Sequence, residues 1–231
     1  MKRTLTVFAV VLALVALGHS GHSSLSAQSA DGHSAMYSVK LTNLTTMQVF
    51  APLLVVTHSP DMSLFLPGTQ ASDELATLAE VGNPEPLAMM LMGMPGVMDV
   101  QPHMMMTTPG VTTPDIMVMG APGYRVSLVG MLVPTNDAFV GANLMLPMYG
   151  GTMGYGNAYD AGSEMNDEMC SSIPNPPPAD WPECGGMHGP GADVGGGEGG
   201  IVISNGILGM GDFGRNRDWK NPVARITVNK M

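Results

Sequence analysis

Acidic side chains are concentrated in one short stretch of this sequence. Four of the nine residues from Asp160 to Glu168 carry carboxylates, and Asn166 adds an amide oxygen. No lysine or arginine occurs between Arg125 and Arg215 to neutralise them. Like charges this close repel one another unless water or a cation separates them, and hard cations, Ca²⁺ before Mg²⁺, bind oxygen ligands of this kind. The stretch therefore indicates a divalent-cation site, with a solvated acidic turn as the alternative.

The first 30 residues have the order of an export signal. Lys2 and Arg3 precede an apolar run over 5–18, and small polar residues follow it. The run is too short to span a membrane comfortably, and no later stretch is long and apolar enough to do so. We predict a signal peptide over 1–27, a flexible tail over 28–35 and one domain over 36–231, in a secreted or periplasmic protein.

Charge and motifs exclude several classes of function. The formal net charge is −10, so the chain has no basic surface for nucleic acid. No Gly-x-Ser-x-Gly, His-Glu-x-x-His or phosphate-binding loop occurs, and the sequence therefore predicts a protein that is not an enzyme. About 200 residues would remain after signal cleavage, which is enough for one domain with its own core.

The only two cysteines are Cys170 and Cys184. In an oxidising compartment a single disulfide is the expected state. The disulfide would stabilise the fold by about 3 kcal/mol, because closing a loop of this length lowers the conformational entropy of the unfolded chain. The alternative is a copper or zinc thiolate pair, although the spacing matches no C-x-x-C pattern.

Hydrophobic patterning predicts an all-β fold, an antiparallel β-sandwich with one short helix. Ser72 caps the predicted helix over 71–80, and a second helical turn is possible over 85–91. A long Gly/Pro-rich loop is predicted over 174–200. The predicted strands cover 37–42, 49–57, 116–119, 124–133, 143–148, 201–204 and 223–228.

Six motifs occur in the order seen in the spondin domain, and the chain after Met36 resembles that family. They are Thr57-His58-Ser59-Pro60, Leu64-Phe65 with Gly68 and Ala71-Ser72, Leu78-Ala79-Glu80-Val81-Gly82, Pro134 to Gly141, Tyr159 to Glu164, and Asp218 to Arg225. The last of these looks like the bacterial branch of the family.

The resemblance implies a β-sandwich like that of calcium-dependent lipid-binding domains, with Ca²⁺ held by loops at one end. Carried over to this chain, the implied calcium ligands are Asp137, Asp160 and Glu164. Animal spondins have an aromatic residue at the position of Ala138 and an aspartate near Asn143, so part of the loop pattern is altered. The resemblance further implies a binding module that attaches to a cell surface, a matrix or another protein. Lesser calcium candidates are Asn143, Asn166 and Asp167.

Methionine is abundant, with 23 residues in the chain, and the resemblance does not explain it. Ten of them fall in a Met-rich segment over 87–119. Thioethers are soft ligands that select Cu(I) or Ag(I), so an alternative function is periplasmic copper binding or buffering. Filling of core gaps is the structural explanation. The copper ligands predicted for that function are Met89, Met90, Met92, Met94, His103, Met104, Met105 and Met106.

Overall fold

The structure is a computed structural model that describes residues 34–174, 181–187, 189, 191 and 195–231. The predicted signal peptide over 1–27 and all but the end of the predicted tail over 28–35 lie outside the described residues. Parts of the predicted Gly/Pro loop do so as well. Within the described ranges, no helix is both long enough and apolar enough to cross a bilayer.

Strands dominate the described part of the chain. The helices are α1 (Asp73–Val81) and α2 (Glu85–Leu91). The strands are β1 (Ala35–Asn43), β2 (Val49–Phe50), β3 (Leu53–His58), β4 (Val97–His103), β5 (Ile116–Gly120), β6 (Arg125–Val133), β7 (Ala138–Met145), β8 (Gly151–Asp160), β9 (Val202–Ile203) and β10 (Ala224–Lys230).

All strand pairings are antiparallel and form one sheet in the order β4-β3-β6-β7-β8-β10-β1-β5, with β2 paired to β6 and β9 paired to β8. The two edge strands lie close together. Met119 in β5 donates its backbone N–H to Asp99 Oδ2 in β4 at 2.7 Å, and Thr57 Oγ1 in β3 donates to the Met119 carbonyl at 2.5 Å. The sheet therefore almost closes on itself, which confirms the predicted all-β antiparallel class.

The core lies on both faces of the strands at the centre of this sheet. Tyr37, Phe50 and Leu128 belong to the cluster inside the curved sheet. Leu54 and Phe139 point to the other face, where they pack with residues of α1 and α2. All six residues of β3 are buried for this reason, which explains why that strand reads as a continuous apolar run rather than an alternating one.

The capping of α1 matches the prediction. Ser72 lies at the N-cap, and its Oγ accepts a hydrogen bond from the Leu75 backbone N–H at 3.2 Å. Gly82 ends the helix in the left-handed region, with φ of 67°. The short helix α2 follows directly, in the region where a second helical turn was expected.

The predicted disulfide between Cys170 and Cys184 is present. It lies in a separate apolar cluster with Trp181 and Phe213. Arg217 is also buried there, with Nε 2.8 Å from Glu183 Oε1 and its guanidinium over the Trp181 ring. The hydrogen bond from Arg217 is the main cause that lowers the pKa of Glu183. The disulfide and this ion pair together attach the segment around residue 183 to the two loop regions that contain Cys170 and Arg217.

Candidate cation site at one end of the sheet

Strand register brings two of the predicted calcium ligands together. Asp160 is the last residue of β8 and pairs with Ala138, the first residue of β7. Asp137 directly precedes Ala138, and its carbonyl accepts from the Ala161 N–H at 3.2 Å. Asp137 is 0% exposed and Asp160 is 5% exposed. Two carboxylates, one in the last residue of β8 and one directly before β7, are therefore buried side by side at one end of the sheet.

Asp137 is a buried carboxylate in which only one of the two oxygens accepts hydrogen bonds. Its Oδ2 accepts from Ser163 N at 2.8 Å, Ser163 Oγ at 3.2 Å and Glu164 N at 3.1 Å. Its Oδ1 is buried and has no hydrogen-bond partner among the described residues. Burial, followed by the charge of Asp160, raises the pKa of Asp137 to about 7. The site is therefore unfavourable for a second negative charge unless a proton or a cation is bound.

Burial is also the main cause that raises the pKa of Asp160, and the negative charge of Glu198 adds to it. Hydrogen bonds reduce this rise in part. Asp160 Oδ1 accepts from Gly162 N at 2.8 Å, and Oδ2 accepts from Asn166 Nδ2 at 2.7 Å. The same Asn166 nitrogen lies 3.1 Å from Glu198 Oε1. Asn166, a lesser candidate from the sequence, therefore does lie at the site.

Glycines hold the acidic loop against the run over 195–200. Gly162 has φ of +68°, and a Cβ there would lie 2.5 Å from the Gly200 carbonyl oxygen. Gly199 donates its N–H to the Gly162 carbonyl at 2.9 Å, and Glu164 forms a bridge with Gly196. This backbone-to-backbone packing carries Glu198 to the site. Sequence reasoning missed Glu198, and its only signal was one carboxylate within a glycine run.

Replacing Gly162 by alanine is expected to destabilise the fold by about 2 kcal/mol or more, because a left-handed backbone and a clash with backbone atoms both penalise the methyl group. Gly150→Ala is the matched control, since Gly150 has φ of +60° with nothing within 4 Å of an added Cβ. That control should lose only about 1 kcal/mol. Urea unfolding of both variants measures the difference. Equal losses would contradict the close packing of the two loops.

Glu164, the third predicted calcium ligand, is fully buried and contacts Asp137 through its backbone N–H. No group of three or more His, Cys, Asp or Glu side chains is arranged to hold a metal ion within the described ranges. The facing pair of Asp137 and Asp160 is thus the nucleus of the candidate site. A calcium ion there would take its other oxygens from amides, backbone carbonyls and water.

The remaining lesser candidates lie in different places. Asp167 accepts from Ser172 Oγ at 2.7 Å, Met169 N at 2.9 Å and Asn136 Nδ2 at 3.0 Å. Burial acts to raise its pKa, but these three hydrogen bonds outweigh burial and lower it. Asn143 is six residues beyond Asp137, about 20 Å along the strand, and its Oδ1 accepts from Arg125. The structure does not bring Asn143 to the site.

Glu168 is a buried carboxylate that sequence reasoning did not single out. It is 4% exposed, and its backbone has φ of 56°, in the left-handed region. Its carboxylate accepts from the backbone N–H groups of Leu208, Met210 at 2.7 Å and Gly211 at 3.4 Å. Its own N–H donates to Asn136 Oδ1 at 3.2 Å. Glu168 thus joins the acidic loop to the segment over 208–211 and to the loop before β7.

The predicted copper ligands do not form a single cluster. Met90 and Met94 pack against the core under the helices, while Met89 and Met92 are 68% and 57% exposed. Burial lowers the pKa of His103 at the end of β4. Met104, Met105 and Met106 line a different, mostly apolar groove of about 790 Å³.

A nearly closed antiparallel sheet with acidic loops at one end defines the class, an all-β domain with a candidate cation site. The sequence model of the family described as Spondin_N matches residues 30–146, just over half of the chain, and the chain belongs to the spondin N-terminal domain family. No curated protein matches the chain. The matched region includes Asp137 and ends before Asp160, so the second half of the candidate site lies beyond it.

Proposed function

We propose that this protein is an exported, calcium-binding spondin-type module that attaches to a cell surface, a matrix or another protein, without catalysis. The observation that carries the proposal is the buried pair of carboxylates, Asp137 and Asp160, with no basic side chain paired to either among the described residues. Membership of the spondin family supports an extracellular module. The disulfide Cys170–Cys184 supports an oxidising compartment.

The donor set suits a hard cation. Two buried carboxylates repel each other, and their charged forms are favoured only when a cation lies between them. Asp137 Oδ1 is buried and has no hydrogen-bond partner among the described residues. An exchange of the Asn166 amide oxygen and nitrogen would add a neutral ligand, because the two amide orientations have nearly the same shape. Calcium supplies positive charge here, and Asp137, Asp160 and Asn166 would hold it.

A cation at this point would join chain segments that are distant in sequence. The loop before β7, the acidic loop after β8 and the glycine run all meet at Asp137 and Asp160. A polar groove of about 420 Å³ lies beside them, between α1 and the acidic loop, with Asp73, Glu80 and Ser163 in its wall. Ordering of these loops would fix the shape of this groove, which is the surface we propose for the protein partner.

Metal analysis and thermal unfolding test the calcium proposal. The mature protein, purified from an oxidising compartment without chelator, should contain about one calcium and melt at a lower temperature in EDTA. Asp160→Asn should lose both the calcium and the EDTA effect. Asp61→Asn is the control, because Asp61 is an exposed acid in a turn remote in sequence from the site. Full calcium binding by Asp160→Asn would overturn the site assignment.

A further inference from the structure

Three exposed methionines lie side by side on the outer face of neighbouring strands. Met36 in β1 pairs with Met119 in β5. On the other side of Met36, Met231 follows β10 and donates its N–H to the Met36 carbonyl at 3.0 Å. Met36, Met119 and Met231 are 39%, 43% and 72% exposed. We call these three residues the methionine row.

The hydrogen-bond pattern sets how closely the row is spaced. Met36 directs its carbonyl towards β10, so its pairing with Met119 across β1 and β5 is of the non-hydrogen-bonded type. In such pairs the Cα atoms lie about 4.5 Å apart and the side chains approach most closely. The pair with Met231 is of the hydrogen-bonded type, with a Cα spacing of about 5.5 Å. Long, unbranched side chains at these spacings can direct their sulfurs to one point.

A fourth methionine lies beside the row. Met117 alternates with buried residues in β5 and is exposed on the same face as Met119, about 7 Å along the strand. It pairs with Ser38 of β1, whose hydroxyl donates to Asp115. Asp115 also pairs with Lys40 at 3.1 Å. Asp99 in β4 accepts hydrogen bonds from Met119 N, Val100 N and Gln101 Nε2, so both nearby carboxylates already have partners. The ligands available around the row are therefore thioethers.

We propose that the methionine row, with Met117 beside it, is a binding site for a soft monovalent ion, Cu(I) or Ag(I). Thioether sulfur binds such ions in preference to Ca²⁺ or Mg²⁺. Filling of the core does not account for these residues, because all four are exposed. The site lies on the strands β5, β1 and β10, whereas the candidate calcium site lies at the end of β7 and β8, so the two ions use different ligands.

This location differs from the predicted one over 89–106. In that segment Met90 and Met94 pack against the core. Met89 lies on α2 and Met92 at its C-cap, so neither stands opposite a second strand. Met104, Met105 and Met106 are consecutive, and the fourth methionine of their groove, Met131, is 0% exposed. In the methionine row, strand register brings together exposed thioethers from β5, from β1 and from the residue that follows β10.

Competition for Cu(I) against a chromophoric chelator, without oxygen and with ascorbate present, tests the proposal on the mature protein. Met36→Leu/Met119→Leu keeps side-chain volume at exposed positions, so the fold should be retained. This double variant is expected to lose at least 10-fold in affinity for the first Cu(I) bound. Met89→Leu/Met92→Leu is the control for loss of two exposed methionines and should match the wild type. Met104→Leu/Met105→Leu tests whether the groove lined by these residues binds the ion instead.

The three double variants distinguish binding at the methionine row from binding in the groove and from binding by any exposed thioether. Loss of tight Cu(I) binding in Met36→Leu/Met119→Leu alone, with unchanged melting temperature and calcium content, supports the methionine row. Equal losses in all three double variants would mean that any thioether suffices, which overturns a defined site. Loss in Met104→Leu/Met105→Leu alone moves the ion to the groove and overturns the proposal. Failure of the wild-type protein to compete with the chelator for Cu(I) would also overturn the proposal.

Discussion

The apparent affinity for calcium is expected to weaken by about 100-fold when the pH is lowered from 8 to 5. The pKa of Asp137 is raised to about 7, chiefly by burial and then by Asp160. At pH 5 a calcium ion must therefore displace a proton that is absent at pH 8. The raised pKa of Asp160 acts in the same direction, so a steeper dependence would indicate that both carboxyls lose protons.

The stability of the calcium-free protein should show the opposite dependence. The folded pKa of Asp137 lies above its ordinary value of 3.8, so the protonated carboxyl stabilises the fold at low pH. That contribution is lost as the pH rises through about 7, and it amounts to roughly 3 kcal/mol between pH 5 and pH 8. Calcium is expected to restore this stability by replacing the proton, and its stabilising effect should therefore be largest above pH 7.

His58 contributes to pH dependence with the reverse sign. Burial lowers its pKa below 6.5, so the stability that neutral His58 provides is present above the unfolded value and is lost as the pH falls from there to the folded pKa. His58 pairs with Arg125, which pairs with Met145 at the far end of β7 from Asp137. This separation is about 20 Å or more. The difference between curves with and without calcium therefore isolates the acidic pair.

Calorimetric titration of calcium at pH 5, 6.5 and 8, in two buffers with different ionisation enthalpies, measures the affinity and the protons released. Asp137→Asn should bind no calcium, yet at pH 8 without calcium it should be about 2 kcal/mol more stable than the wild type, because a buried charge is removed. Asp61→Asn should follow the wild type throughout. A calcium affinity that is independent of pH would contradict the raised pKa of Asp137.

Glu168→Ala is expected to lower the free energy of unfolding by about 3 kcal/mol or more, because three backbone N–H groups lose a charged acceptor. They belong to Leu208, Met210 and Gly211. Glu168→Gly should be about 1 kcal/mol less damaging than the alanine variant, since glycine accepts the left-handed backbone at residue 168. The expected order of decreasing stability is wild type, then the glycine variant, then the alanine variant. This order is unusual, because glycine normally weakens a fold more than alanine does.

Urea unfolding of the two Glu168 variants and of Glu85→Ala provides the measurement. Glu85 is exposed in the first turn of α2, so its loss should change stability by less than about 0.5 kcal/mol. A Glu168→Ala variant as stable as Glu85→Ala would show that the carboxylate does not hold the segment over 208–211. A Glu168→Gly variant that is less stable than Glu168→Ala would show that the backbone at residue 168 is not left-handed.

Local patterns in the sequence predict much of the sheet. Strands with apolar alternation or long apolar runs, such as β1 and β6, lie where they were predicted, and so does the capped helix α1. Pro52 within the apolar run over 49–57 predicts an edge or a bulge, and the pairing with β6 does shift by one residue there, from Phe50 opposite Leu132 to Leu54 opposite Val129. β3 is not an edge strand, since it lies between β4 and β6, and its second face packs against residues of α1 and α2.

β4 and β8 escaped prediction altogether, and the strand predicted over 143–148 covers only the end of β7. β8 begins in a glycine-rich stretch, where glycines let neighbouring side chains pack against the backbone and leave no apolar alternation in the sequence. A Cβ at Gly154 would lie 2.6 Å from the Leu144 side chain. β4 contains Asp99 and Pro102, and its two valines are three residues apart, so its sequence shows no apolar alternation. Glu168 and Glu198 escaped because their partners are backbone N–H groups and loops about 30 to 40 residues away, which no local pattern records.

The pairing of β1 with β10 means that the two ends of the domain are held in one place. A fragment cut at the limits of the family match, residues 30–146, would contain β1 without β10 and β7 without β8. Its sheet would have two extra open edges, which favour pairing with other chains and aggregation. It would also carry Asp137 without Asp160. The residues that match the family model are therefore only part of the residues that form the sheet.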